Sequence, residues 1–482
     1  MRKLGNDEFG IWVVVGAFVS FTGLLDFGFG TSFVKYIAEY SARDDREGVN
    51  GVLTTGLTVY FIFTVVIITV VFLTMSVMLH FFTFPQSMEE KVLFVLELGI
   101  ITWLIGNFMG VYLSVINGLQ RMDISRSISV FISICFAIGC IIALQWGFGI
   151  RGLAVMQLIA HTIGTVVTVY FAYRLYPSLR FDLKSVKKHF IPLFRYGLNL
   201  QVSNFALLIS FHFDKLLINR FFGTSHVTFY DIGNRPPATV RSLPMLLLST
   251  LTPAAAELEV RKGRAELYEL FSRASKYVSI FAFPLFIGAM VTSQAIIEAW
   301  VGHGYNMSVV VMRILCIGYL LNIAAGPVSP LVQGMGQPHY QRNAEVLSLL
   351  LNVVLSLLLI NLYGFYGAPI GTALAMSATF VYYLWSFHRF MERPLLPFLR
   401  VTLLKPALCA VASGVVALAV TSALMPYGSS GRLAVLPIFL GAGCIFAISY
   451  VVMILKWRYL DDQDIALLWS LVTQRLVNKW VI

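Results

Sequence analysis

The sequence predicts an all-α polytopic membrane protein, because long apolar stretches, few charges and a one-sided distribution of basic residues coincide. Hydrophobic residues make up 58% of the 482 residues, and charged residues make up 12%. About 20 apolar residues are needed for a helix to cross roughly 30 Å of hydrocarbon. Thirteen stretches between Ile11 and Leu455 provide about that length. Water-soluble chains of this size do not have such a composition.

The predicted spans are joined by short connections, so the sequence leaves no room for a soluble catalytic domain. They cover residues 9–29, 51–82, 92–117, 128–147, 153–173, 196–219, 227–254, 277–298, 309–332, 346–362, 368–387, 402–425 and 433–455. After the last span, apolar residues at helical spacing predict a short amphipathic helix within 457–482 that lies on the cytoplasmic face.

The basic residues predict the orientation of the chain. Lys and Arg number 25 in the loops after the odd-numbered spans and in the tail, with Lys405 at the start of span 12 counted to its loop, against 6 at the N-terminus and in the other loops. Cytoplasmic loops carry an excess of Lys and Arg, so the C-terminus is predicted to be cytoplasmic. The net charge of +11 is therefore topological. Anionic membrane lipids, not nucleic acids, are the expected partners.

A weak internal repeat, with an offset of 216 to 218 residues, divides the chain into two copies. The matched segments are Leu4-Gly5 with Phe222-Gly223, Asn117–Gln120 with Gln333–Gly336, and Trp146–Phe148 with Tyr363–Phe365. Such repeats build transporters from two bundles around a central site. The second copy has a full span before its first marker, whereas the first copy has none. We therefore expect that a first helix is missing; a natural protein with 13 spans is the alternative.

Motifs of enzymes and metal sites are absent from the sequence. There is no GxxxxGK[ST], HExxH, CxxC or GxSxG pattern, and the eight histidines show no spacing typical of metal ligands. The five cysteines lie within apolar spans and are read as small hydrophobic residues. We expect neither an enzyme nor a cofactor or metal.

Polar and charged residues inside two spans are the candidate substrate-binding residues. Span 6 has a polar stripe on one helical face, and span 7 adds two arginines. The candidates are Gln201, Asn204, His212, Asp214, Lys215, Arg235 and Arg241. A charge at the bilayer centre costs about 3 kcal/mol or more, so two interpretations are open. The residues line a hydrated cavity that receives an anionic group, or they form internal ion pairs such as Asp214–Lys215 and Asp231–Arg235.

Arg241 favours the cavity interpretation most strongly. It lies roughly 20 Å from the outer end of its helix, and no acidic residue is close to it in the sequence. Residues that weaken helices accompany these charges and are predicted to act as bends or gates. They are Pro236 and Pro237 in span 7, and Asp26, Gly28 and Gly30 at the end of span 1.

The sequence resembles polysaccharide-type (Wzx-like) flippases of the multidrug/oligosaccharidyl-lipid/polysaccharide exporter superfamily. The resemblance rests on soft motifs of Gly, aromatic and charged residues. These are Leu4-Gly5 with Phe9–Trp12, Leu25–Gly30, Tyr36–Tyr40, Asn117–Arg121 and Asp214–Ile218. It implies 12 or 14 spans in two six-helix lobes around a central cavity. The implied division is an N-terminal lobe (1–175), a basic linker (176–195), a C-terminal lobe (196–390), an extra helix pair (391–456) and the tail.

The resemblance also implies a function. The cargo is a lipid-linked oligosaccharide on an undecaprenyl pyrophosphate carrier, namely an O-antigen, capsule or exopolysaccharide repeat unit. It is moved to the outer leaflet of the bacterial inner membrane by alternating access. A drug/cation antiporter of the same superfamily is the alternative, and a membrane polysaccharide polymerase or ligase is less well supported. Coupling to H⁺ or Na⁺, and a polymerase as a partner, are left open by the sequence.

Overall fold

The computed structural model describes residues 4–22, 29–82, 84, 86–248, 251–252, 255, 258, 263–337, 339–424, 432–460 and 464. Within them, only the backbone is described for some helical stretches, among them 74–81 and 196–211. The described residues form helices and turns, with no strand among them. Their contacts divide the chain into two units, Met1–Thr228 and Phe229–Ile482.

The first unit contains seven of the helices that the structure describes. They are α1 (Gly5–Thr22), α2 (Phe29–Ala42), α3 (Arg46–Phe81), α4 (Glu89–Gly118), α5 (Met122–Gln145), α6 (Gly149–Leu175) and α7 (Val186–Phe222). Short 3₁₀ turns, Gln86–Met88 and Leu183–Ser185, precede α4 and α7.

The helices of the second unit begin with α8, whose first turn still belongs to the first unit. They are α8 (Thr224–Leu248), α9 (Arg264–Val291), α10 (Ser293–Trp300), α11 (Asn306–Ala324), α12 (Val328–Gly334), α13 (His339–Tyr363), α14 (Gly367–Phe390), α15 (Lys405–Leu424) and α16 (Arg432–Lys456). A 3₁₀ turn, Gly364–Tyr366, lies between α13 and α14, and the helical turns Leu395–Phe398 and Leu399–Leu404 lead into α15.

The predicted fold class is confirmed: the chain is an all-α, multi-pass membrane protein. Eight helical stretches among the described residues are long and apolar enough to cross a membrane. The predicted span 277–298 is divided, because the helix is interrupted at Thr292 between α9 and α10. The predicted span 309–332 is likewise divided between α11 and α12.

The internal repeat is visible in the positions where helices begin. Four helices of each unit start 217 or 218 residues apart, at Arg46 and Arg264, Glu89 and Asn306, Met122 and His339, and Gly149 and Gly367. Residues with left-handed backbone conformation are also paired, namely Gly5 and Gly223, Gln120 and Gly336, and Gly147 and Gly364. These pairs fall on the three sequence markers, so each marker carries a residue of left-handed conformation at a helix end.

α2 occupies a segment that the span prediction treats as part of a loop. Phe29, Phe33 and Ile37 recur every four residues and are fully buried, and the rings of Phe29 and Phe33 stack at 5.7 Å. The other face of α2 carries charged residues, including the Lys35–Glu39 pair. This half-polar pattern lacks the length and apolarity of a span, but one buried stripe is enough for a packed helix.

The linker predicted at 176–195 is partly helical and is attached to α3. α7 already begins at Val186. Before it, the backbone N–H of Asp182 donates to the Thr54 hydroxyl at 2.9 Å, and the Asn50 side chain donates to the carbonyl of Ser178 at 3.1 Å. Hydrogen bonds from the Ser185 hydroxyl and the Lys184 backbone N–H lower the pKa of the Asp182 carboxyl. The predicted lobe boundaries remain predictions, and in the contact grouping α7 belongs to the first unit.

Residues 391–456, predicted as an extra helix pair, contain α15 and α16, which pack on each other and on α9. Of the predicted amphipathic tail, only residues up to 460 and Asp464 are described. Asp464 is helical and buried. Its carboxylate pairs with Lys276 and accepts a hydrogen bond from the Tyr277 hydroxyl at 2.6 Å. The start of the tail is therefore fixed to α9.

Candidate functional site

The arginine-bearing part of α8 is packed tightly against α11 in the second unit. Gly233 makes this approach possible, because a Cβ atom at that position would lie 2.6 Å from the Ser308 carbonyl oxygen and 2.8 Å from Val311 Cβ. Small residues allow the backbones of membrane helices to come this close. The close contact brings the side chains that follow Gly233 on α8 up to those of α11.

Tyr319 of α11 connects two of the polar residues of α8. Its hydroxyl donates to Asn234 Oδ1 at 3.0 Å, and the guanidinium carbon of Arg241 lies 5.8 Å from its ring centroid. Asn234 and Arg241 are seven residues apart, which is about two helical turns on the same face. The aromatic face attracts a cation, by about 2 kcal/mol where both are desolvated. Buried Tyr319 thus holds Arg241 in place.

Arg235 is paired with an acidic residue. Its Nε lies 2.6 Å from Asp231 Oδ2, one helical turn earlier. The Asp231 side chain is 4% exposed, whereas that of Arg235 is 48% exposed. The carboxylate of Asp231 is therefore buried, while part of the Arg235 side chain remains accessible to solvent. The ion-pair interpretation describes Arg235, and Arg241 makes an aromatic contact with Tyr319.

The prolines of α8 lie within a continuous helix. α8 runs through Pro236, Pro237 and Pro244 to Leu248. Proline has no backbone N–H, so the carbonyls of Ile232 and Gly233 do not receive the usual helical hydrogen bond from residues 236 and 237. These two carbonyls are acceptors close to the Asp231–Arg235 pair. The predicted role of Pro236 and Pro237 as a bend or gate remains a prediction.

The candidate residues of α7 lie in the first unit and differ in burial. Asp214 is 1% exposed and Asn219 is fully buried, whereas His212 and Lys215 are half-buried. Gln201 and Asn204 belong to α7, but their side chains lie outside the described residues. The most deeply buried ionisable residue of the stripe is thus the acid Asp214 and not Lys215.

The residues predicted to weaken span 1 fall at the boundary between α1 and α2. α1 ends at Thr22, and α2 begins at Phe29. Gly30 lies in the first turn of α2, while Asp26 and Gly28 lie outside the described residues.

Sequence reasoning missed Tyr319 as a member of the site. A tyrosine in an apolar span is common, and its importance depends on the contact between α8 and α11. The only available signal was Gly233 within the charged segment of span 7, since a glycine inside a helical pattern points to close backbone approach.

Comparison with known proteins places these features in a family. The sequence profile of a family described as polysaccharide biosynthesis proteins matches residues 1–259. A probable low-salt glycan biosynthesis flippase of Haloferax volcanii is 25% identical over 278 residues. That alignment covers 57% of this chain and 57% of the archaeal protein, so the chain spans little more than half of that relative.

Two solved structures share the fold. A multidrug resistance transporter of the MATE family, in an inward-facing conformation, aligns with a TM-score of 0.69 at 17% identity and covers 80% of this chain and 93% of its own. A lipid II flippase in an inward closed conformation aligns with a TM-score of 0.68 at 14% identity and covers 93% and 97%. At these identities the likeness concerns the fold alone.

Proposed function

Because the chain belongs to the polysaccharide biosynthesis protein family, we propose that it is a flippase for a lipid-linked oligosaccharide. The cargo consists of a glycan, a pyrophosphate and a polyprenyl lipid such as undecaprenol, and it moves from the cytoplasmic to the outer leaflet. No covalent bond is made or broken, so the protein is a transporter. The related protein of Haloferax volcanii, a probable low-salt glycan biosynthesis flippase, supports this assignment.

The observation that carries the proposal is Arg241, a cation that lies over the ring of the buried residue Tyr319. Two unit charges ~4 Å apart attract each other by about 4 kcal/mol at an effective dielectric constant near 20, compared with about 1 kcal/mol in water. A fixed arginine can therefore stabilise a pyrophosphate that has left the aqueous phase. Its planar guanidinium also matches phosphate oxygens in a bidentate geometry.

The balance of charges along α8 supports an anionic cargo over a cationic drug. The helix contains Asp231, Arg235 and Arg241, and the one carboxylate is already paired with Arg235. An antiporter for cationic drugs needs an acid that is available to the drug or to a proton. Lys215 of α7 adds a further cation to the candidates, although Asp214 is its neighbour in sequence.

The remaining features of the proposal concern the transport cycle and the location. We infer alternating access by the two lobes, with Pro236, Pro237 and the Asp26–Gly30 segment as bends or gates. The expected location is the bacterial plasma membrane with a cytoplasmic C-terminus, in accordance with the distribution of basic residues. Two further properties of such a flippase are to be measured, namely coupling of transport to H⁺ or Na⁺ and association with a polysaccharide polymerase.

The test is complementation in bacteria that lack their own lipid-linked glycan flippase, using several strains with different surface glycans. We expect the wild-type chain to restore surface glycan in at least one strain. Arg241→Ala should lower the restored glycan by about tenfold, which corresponds to about 1.4 kcal/mol, and Arg241→Lys should retain part of it. Arg313→Ala is the matched control, since Arg313 is an exposed arginine of α11 whose Nε donates to Ser293.

Membrane levels of each variant, measured by immunoblot, must be equal for the comparison to hold. Failure of the well-expressed wild-type chain in every strain would overturn the proposal. Full activity of Arg241→Ala would remove Arg241 from the mechanism. Resistance of drug-sensitive cells to cationic dyes, gained without any surface glycan, would identify the antiporter instead.

A further inference from the structure

A second candidate binding site lies within the first unit, at the end where α5 turns into α6. A cleft of about 530 Å³ opens there between this turn and the first turns of α1 and α4. Its principal lining residues are Glu8, Lys91, Phe148, Arg151, Val155 and Met156. The volume falls within the range of pockets that hold drug-sized ligands. None of these residues is among the candidate substrate-binding residues of α7 or of α8.

The shape of the cleft depends on two glycines of the turn. Gly147 and Gly149 have φ angles of +79° and +57°, a conformation that side chains rarely adopt. A Cβ atom on Gly149 would also lie 3.0 Å from Glu8 Oε2. The turn therefore needs glycine both for its backbone conformation and for the close approach of the Glu8 carboxylate.

Each charged side chain that lines the cleft forms an ion pair, and the partner of Arg151 lies outside the lining. Lys91 forms an ion pair with Glu8, and Arg151 forms one with Glu90 at 3.3 Å. The Glu8 side chain is 13% exposed, whereas that of Glu90 is 92% exposed. Glu8, Lys91 and Arg151 line the cleft, and Glu90, the exposed partner of Arg151, brings the net charge of the four side chains to zero. An anionic ligand would meet a carboxylate beside each cation, so the charge arrangement disfavours phosphate or pyrophosphate.

The same arrangement suits a ligand rich in hydroxyl groups. Carboxylates accept hydrogen bonds, while ammonium and guanidinium groups donate them, and a sugar hydroxyl does both. An uncharged polyol can therefore bond to both members of each pair without altering the charge balance. Lys91 and Arg151 retain accessible surface despite their ion pairs, with side chains 37% and 48% exposed.

An aromatic surface completes the cleft. The rings of Trp146 and Phe148 meet edge to face, with centroids 6.2 Å apart, and both remain largely exposed, Phe148 by 57%. Aromatic rings at a membrane interface often contact lipid headgroups, but Phe148 also lines a cleft with three charged side chains. An exposed ring offers a flat apolar face, which matches the C–H face of a pyranose ring.

We propose that this cleft binds the uncharged saccharide portion of the cargo on the outer side of the membrane, distinct from the site for the pyrophosphate. The inference rests on the proposed flippase function and on the orientation predicted from the basic residues. Positive-inside counting places the N-terminus and the α5–α6 turn outside. The cleft then holds the glycan as it emerges, while the pyrophosphate is still being released.

The test measures binding of lipid-free oligosaccharides to the full chain in lipid nanodiscs by saturation-transfer difference NMR and titration calorimetry. The probes are chitotetraose, maltotetraose, mannotetraose and sodium pyrophosphate. We expect at least one tetrasaccharide to bind, and pyrophosphate not to compete with it. Phe148→Ala should weaken that binding by about tenfold, as is common for an aromatic residue central to a binding site.

Phe221→Ala is the matched control, because Phe221 is exposed to a similar degree, 52%, on α7 of the same unit and does not line the cleft. A second variant, Arg151→Gln, should also weaken binding of the tetrasaccharide. The thermal midpoints of Phe148→Ala and of Phe221→Ala should equal that of the wild-type chain. Absence of binding by every tetrasaccharide, equal binding to Phe148→Ala, or competition by pyrophosphate would overturn the inference.

Failure of the flippase proposal can be distinguished from failure of this inference. Lipid-free sugars require neither transport nor a lipid carrier to bind, so nanodisc binding reports on the cleft alone. Complementation by Phe148→Ala reports on transport. Sugar binding that is abolished by Phe148→Ala, in a chain that complements no strain, would retain the cleft as a saccharide site and reject the flippase.

Discussion

The hydroxyl of Tyr319 on α11 donates a hydrogen bond to the side-chain oxygen of Asn234 on α8, 3.0 Å away. The bond joins α8 to the apolar helix α11 through polar groups, and the same ring lies beneath Arg241. The two contacts of Tyr319 can be separated by substitution. Removing the hydroxyl removes the hydrogen bond to Asn234, whereas removing the ring also removes the aromatic face beneath Arg241.

We therefore predict different outcomes for Tyr319→Phe and Tyr319→Leu. Tyr319→Phe should lower the free energy of unfolding by about 1–2 kcal/mol, because the amide of Asn234 loses its partner, and should leave glycan transport largely intact. Tyr319→Leu should in addition reduce transport, because Arg241 loses the aromatic face that positions it. Thermal unfolding in detergent and surface glycan in complemented cells measure the two effects. Equal transport by both variants would show that the ring does not position Arg241.

The contact between α8 and α11 gives a second prediction, at Gly233. Gly233→Ala places a methyl group 2.6 Å from the Ser308 carbonyl oxygen, so the helices must separate or the protein must lose stability. We expect the free energy of unfolding to fall by about 1–3 kcal/mol, as for overpacked cores, and transport to fall with it. Gly16→Ala in α1 is the control, since nothing lies within 4 Å of a Cβ atom there.

Gly16→Ala should be neutral or stabilising by up to about 1 kcal/mol, because alanine favours a helix more than glycine does. If Gly233→Ala behaves like Gly16→Ala in thermal unfolding, the described approach of α8 to α11 is wrong.

The ion pair between Asp231 and Arg235 gives a third prediction, which is tested by a double-mutant cycle. Asp231→Asn, Arg235→Gln and the double variant are compared in thermal unfolding. Arg235 is 48% exposed, so solvent screens the pair, and the coupling energy should be no more than about 1 kcal/mol. Asp231→Asn alone should not abolish transport, because it leaves both arginines in place. Complete loss of transport in a stable Asp231→Asn variant would instead indicate that an acid, such as one carrying a proton, is essential.

The fold class could be predicted from the sequence because apolar length, sparse charge and loop bias are local properties. The repeat was also readable, since its markers are turns with left-handed residues at Gly5 and Gly223 or Gln120 and Gly336. α2 was missed because its burial depends on partners in α3 and α4, which no window of sequence contains. The division of predicted spans at Thr292 depends on local packing in the same way.

The candidate site was only partly predictable. Arg235 and Arg241 are chemically identical in the sequence, but their partners in the structure differ. Arg235 pairs with an aspartate one helical turn away, and Arg241 contacts a tyrosine 78 positions further along the chain. The first partner was visible as an i, i+4 spacing, so both interpretations of Arg235 could be stated. The second partner required the α8–α11 contact. The cleft at the α5–α6 turn required three separate segments, carrying Glu8, Lys91 and Phe148.

The contact between Asp464 and α9 gives the last prediction. Lys276 is 19% exposed and Asp464 6% exposed in their ion pair, and the Tyr277 hydroxyl also donates to the carboxylate. Asp464→Asn leaves the ammonium of Lys276 without its counter-charge in a nearly buried position, so the free energy of unfolding should fall by about 2–4 kcal/mol. Lys276→Met combined with Asp464→Leu should recover much of that loss, because removing both charges also removes the unpaired group. Glu269→Gln is the control, since Glu269 forms an exposed pair with Arg273 on the same helix and should change stability by less than about 1 kcal/mol. A loss for Asp464→Asn no larger than that of the control would mean that the start of the tail is not held by this pair.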